Sequence, residues 1–173
     1  MSDDEELPPA TPPLPRPSHE MAVGFISEAE AYHRAALLVH SSPEPTPDVE
    51  LMAPALFLLC HATELALKAY LLSHGADPGP KAGGLKNQAL GHNLVALYEL
   101  ALTQGFTPPD DRIAAMVEWL GPAHQVHSFR YRELGFRSLP IPVLFAEVLA
   151  STIRSVKRTV GSQAVAISRE REA

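Results

Sequence analysis

The chain has 173 residues, 46% of them hydrophobic and 20% charged, with a mean hydropathy of −0.02 and a formal charge of −6. These proportions exclude a wholly disordered, fibrous or membrane-embedded protein, and the length suits one domain able to close a core. Charge is uneven: residues 18–129 hold twelve acids against five bases, whereas residues 130–158 hold six bases against two acids. An acidic chain with one basic segment is a poor general nucleic-acid binder but can hold an anion locally.

Residues 1–17 contain six of the seventeen prolines and the acidic run Asp3, Asp4, Glu5 and Glu6. Such a segment buries little apolar surface and is expected to be a disordered acidic leader. A first helix is expected from about His19 to His40, where Ala22, Phe25, Ala29, Tyr32, Ala36 and Val39 recur at spacings of three and four. Pro43, Pro45 and Pro47 end it. A second helix, about Val49 to Ser73, is apolar nearly all round, which predicts the central core helix, and Gly75 is placed to cap it. Its apolar run Leu51 to Cys60 is about half of the ~20 residues a membrane span needs.

Glycines and prolines make residues 76–91 a loop. A third helix is expected over about Asn93 to Gln104, stopped by Gly105. A fourth opens at Asp110, presents Ile113, Met116, Val117 and Leu120, and is expected to end at Gly121-Pro122. The last helix, about Pro142 to Val160, is expected to close at Gly161 and leave residues 162–173 as a frayed charged tail. The organisation is thus an all-α up-and-down bundle of four to five helices over residues 18–161. Acids at the start of the chain argue against a secretory signal, and the lone Cys60 excludes an intrachain disulfide and a cysteine-based zinc site. A cytoplasmic location, with no membrane contact, is expected.

Polar residues on the second helix are not scattered. His61, Glu64 and Lys68 share a narrow stripe at helical spacing, and Glu64 precedes Lys68 by four residues, the favourable order for an ion pair. Such a stripe is either an exposed pair that orients the bundle or the lining of a polar pocket in which Glu64 holds a basic side chain from the 130s. His61-x-x-Glu64 is single and reversed relative to the paired Glu-x-x-His of di-iron bundles, so no metal site and no cofactor are expected. His127-Ser-Phe-Arg-Tyr-Arg132 interleaves possible anion donors, Arg130 and Arg132 among them, with the aromatics Phe129 and Tyr131.

Three pieces, Glu64-Leu-Ala-Leu-Lys-Ala-Tyr-Leu-Leu72, Gly91-His-Asn-Leu94 and Phe129-Arg-Tyr131, resemble in order and spacing small bacterial proteins of the HEPN-like helical bundle class over roughly residues 20–160. The resemblance implies a bundle that pairs into a homodimer, with Glu64, Lys68 and His92 approaching Arg130. Many members of the class are metal-independent ribonucleases, often toxins paired with an antitoxin protein or parts of phage defence. Their signature is an Arg followed by a His with four to six residues between them. Arg130, Arg132 and Arg137 have no histidine after them, because His127 is the last in the chain, and the Arg34–His40 spacing falls on the first helix. The expectation is therefore a non-catalytic module. It would bind a partner protein or an anionic, nucleotide-like ligand through Glu64, Lys68, His92, Arg130, Tyr131 and Arg132. The alternative is a ribonuclease drawing on Arg130, His127 or His92.

Overall fold

The computed structural model describes residues 18–40, 49–87, 89–129 and 140–172. Among these the chain is all helical: α1 (Ser18–His40), α2 (Val49–Ser73), α3 (Leu94–Thr103), α4 (Arg112–Gln125) and α5 (Pro142–Glu172), with no strand. The leader, residues 1–17, lies outside the described residues.

Helix α2 organises the rest. Every residue from Ala62 to Leu72 is buried, three turns enclosed on all sides, because this stretch has almost no polar face to offer water. It packs against all four other helices, most extensively against α1. By length and composition its segment Glu50–Ser73 is apolar enough to cross a membrane, yet 83% of that window is buried inside the bundle. On α1 the alanines Ala22, Ala29 and Ala36, seven residues apart, are buried and leave room for close packing. Two polar contacts fasten α5 to α1: His33 Nε2 lies 2.9 Å from the Ala146 carbonyl, and Lys157 Nζ donates to Glu30 at 2.8 Å.

Three helices end in the same way. After α2 the amides of Gly75 and Ala76 donate back to the carbonyls of Leu72 and Leu71, and after α3 those of Gly105 and Phe106 donate to Leu102 and Ala101. After α4 the amides of His127 and Ser128 donate to His124 and Ala123. This paired pattern is the Schellman cap, which needs a left-handed residue just past the helix. Gly75 (φ 87°) and Gly105 (φ 88°) supply it at the first two ends; His127 (φ 60°) supplies it at the third.

Two expected helix ends are displaced. Helix α4 runs through Gly121-Pro122 to Gln125. Pro122 removes one backbone donor, but Pro122 and Glu118 both face outward, where water can serve the freed carbonyl. Gly121 is a contact point: a Cβ there would stand 3.0 Å from Val95 Cγ2, so its absence lets α4 approach α3. Helix α5 likewise continues past Gly161 to Glu172, through residues expected to fray. Open space surrounds Gly161, and one glycine inside a long helix costs only about 1 kcal/mol.

Candidate functional site

The site begins with a charge where charges are rarely found. Glu64 is 2% exposed in the most deeply buried part of α2, and a bare carboxylate there would cost several kcal/mol. Both oxygens are met. Lys68, one turn on, donates from Nζ to Glu64 Oε1 at 2.6 Å and to the Gly91 carbonyl at 2.7 Å. Around Oε2 stand His124 Nε2 at 2.8 Å, His92 Nδ1 at 3.1 Å and His61 Nδ1 at 3.8 Å. The first two are hydrogen bonds; the third is beyond hydrogen-bonding reach. Burial alone would raise the Glu64 pKa. The hydrogen bond from His124, the adjacent His61 and the ammonium of Lys68 outweigh it and hold the carboxyl well below the usual range.

Each element delivers its member for a local reason. Helix α2 places His61, Glu64 and Lys68 on one face by their spacing. The turn before α3 brings His92, directly ahead of Asn93, whose side chain caps the helix by accepting from the Ala96 amide. Helix α4, by running past Gly121-Pro122, brings in His124, 1% exposed. Its Schellman cap then sets the His127 ring against His92, with centroids 4.9 Å apart. His61 is oriented by Tyr32 of α1, edge-on at 4.5 Å, and by Phe57, stacked at 6.0 Å.

The cluster grades from a buried anion to an open mouth. The side chain of His92 is 44% exposed; its Nδ1 faces Glu64, which leaves Nε2 directed away from it. Cys60 contributes no nucleophile, since burial and then the charge of Glu64 push its thiol far up. A separate cleft of about 550 Å³ lies between the start of α1 and the loop after α2. Its wall carries Glu20, Glu28 and Asp77 against the single Lys86, which suits an anion poorly.

Of the residues expected from sequence, Glu64, Lys68 and His92 are in direct contact, and His127 adjoins them. Arg130, Tyr131 and Arg132 lie outside the described residues, one to three positions beyond the buried Phe129. His124 was not among the expected members. Its signal lay in the apolar period itself, for Ile113, Val117, Leu120 and His124 follow one another at spacings of four and three on the buried face.

His61, Glu64 and His124 are also a candidate metal-ligating set among the described residues, with one donor atom from each lying within 4.8 Å of the others. The sequence expectation of no metal site did not bring His124 to the two members on α2; the fold does. No protein-family model, curated protein or solved structure matches this chain.

Proposed function

We propose that the chain is a HEPN-like helical module of the cytoplasm that binds an anionic, nucleotide-like ligand at the mouth formed by His92 and His127, with Arg130, Tyr131 and Arg132, which follow in sequence, as further ligand-binding residues, and does not cleave it. One observation carries this reading. Of three identical helix caps, two use glycine and the third places a histidine in the left-handed conformation, at the one cap that adjoins the polar cluster. Strain of this kind persists where a side chain is needed at that place. His127 beside the half-exposed His92 offers imidazole donors to an anion, and the arginines that follow offer bidentate ones.

A second reading has its own support. His92 Nδ1 rests on Glu64, the arrangement in which a carboxylate fixes the tautomer of a general base. This favours a metal-independent ribonuclease using His92, His127 and Arg130. Both readings meet in one experiment: ATP binding and cleavage of end-labelled RNA, each in EDTA, with the wild type beside Arg130→Ala and His127→Gly. The binding module predicts ATP affinity at least ~10-fold lower in both variants, the loss of one charge-assisted contact, with intact RNA throughout. Cleavage by the wild type that Arg130→Ala abolishes would replace it with the nuclease.

A further inference from the structure

The polar cluster holds more imidazole nitrogen around one oxygen than hydrogen bonding uses. Glu64 Oε2 accepts from His124 and His92, and Lys68 satisfies the other oxygen. His61 Nδ1 is buried, points into the same space, and has no hydrogen-bond partner. An orphaned buried nitrogen is a cost that native structures seldom leave unmet.

We propose that His61 Nδ1, Glu64 Oε2 and His124 Nε2 bind a first-row divalent metal ion of the Zn²⁺ class, with His92 Nδ1 as the fourth donor. Ligand atoms that share a tetrahedral ion, each about 2.0–2.1 Å from it, stand roughly 3.3–3.5 Å apart. The separations from Oε2, 2.8, 3.1 and 3.8 Å, straddle that value. The 3.8 Å from Oε2 to His61 is too long for a hydrogen bond but suits two ligands of one ion. His61, Glu64 and His124 already have donor atoms within 4.8 Å of one another, and ion binding needs the imidazoles to close around the ion as neutral tautomers with their lone pairs turned inward.

The surroundings are those of a metal centre. Lys68 holds the oxygen of Glu64 that faces away from the ion, as outer partners hold ligating carboxylates. Tyr32 and Phe57 fix the ring of His61. Three imidazoles and one carboxylate select zinc, cobalt or nickel over magnesium or calcium, which prefer all-oxygen shells. With Glu64 and His124 almost wholly buried and His92 closing the fourth position, the centre is a closed, fold-stabilising one that joins α2, the turn before α3, and α4. It shares only His92 with the anion-binding reading, through Nδ1 on the Glu64 side, and neither His127 nor Arg130 takes part.

The test uses the full chain, stripped with EDTA and titrated with Co²⁺, followed by its visible absorption and by competition with Zn²⁺. The expected result is one ion per chain with the intense absorption of a tetrahedral nitrogen–oxygen shell. The His61→Ala variant should bind at least ~10–100-fold more weakly, the range that loss of a mere outer partner already causes. His74→Ala, on a histidine at the far end of α2, should bind as the wild type does. His61 is partly exposed and its removal leaves the Glu64–Lys68 pair intact, so that variant folds even if His124→Gln does not. Failure to take up a stoichiometric ion, or equal affinity in wild type and His61→Ala, would overturn the proposal. So would an equal loss in His74→Ala, which would assign the uptake to surface histidines.

Discussion

His127 occupies a backbone conformation that costs an L-residue roughly 1–2 kcal/mol, at a cap where glycine would be free of that cost. Replacing it therefore separates stability from function. His127→Gly is expected to stabilise the bundle by about 1 kcal/mol, a rise in Tm of roughly 2–4 °C, while weakening ligand binding. A variant that lost stability would show that the His127 ring itself supports the fold. Glu64 makes the opposite case, a charge that the fold must keep paired. Removing it in Glu64→Ala strands the Lys68 ammonium and two imidazoles, and a loss of about 3–5 kcal/mol in urea unfolding is expected. Because its carboxyl titrates below the usual range when folded, its contribution is complete above roughly pH 4.3, the unfolded value, and falls away as pH drops further. In EDTA, the urea midpoint of the wild type should fall more steeply between pH 5 and 3 than that of Glu64→Gln, which has no such group to protonate. Parallel curves would place the acid sensitivity elsewhere.

At the scale of elements, the apolar period is a better guide than punctuation. The ends of α2 and α3 follow from their flanking glycines, and the edges of α1 from its period and the prolines beyond. The same residue types misplaced the ends of α4 and α5, because Gly121 serves interhelical contact and Gly161 merely sits on an exposed face. Ending α4 at Gly121-Pro122 is also what hid His124: without a helix at that position, nothing tied it to the buried face. Glu64 and Lys68 were legible because a charged stripe on an apolar helix is conspicuous in sequence, and His92 entered only through the family resemblance, whereas a long-range convergence of imidazoles has no such signal. The two glycines give opposite expectations. Gly161→Ala should stabilise by about 0.5–1 kcal/mol through helix propensity alone. Gly121→Leu should cost about 1–3 kcal/mol, since its side chain meets Val95, a β-branched residue with little rotamer freedom. Equal effects of the two in thermal unfolding would remove Gly121 from the α3–α4 contact.

The whole molecule raises the question of its partner. The resemblance leads to a symmetric dimer, whose interface must be one surface patch facing its own copy. The described surface offers Trp119 of α4, 52% exposed, together with Val126 just past that helix and Ile141 and Leu144 at the start of α5, which α4 touches. Aromatic side chains of this kind dominate interface energetics, and scattered aliphatics alone would need no explanation. Burying the indole in a twofold contact would contribute on the order of 2 kcal/mol per subunit, enough for its loss to shift a micromolar dimer to monomer. Sedimentation equilibrium at micromolar concentration should then give twice the 18.7 kDa of the chain, and Trp119→Lys should give the monomer mass. Far-UV circular dichroism should not change, because Trp119 contributes nothing to the buried core. A monomeric wild type would count against the dimer and the family reading together; a dimeric Trp119→Lys would move the interface off α4 and leave the family reading standing.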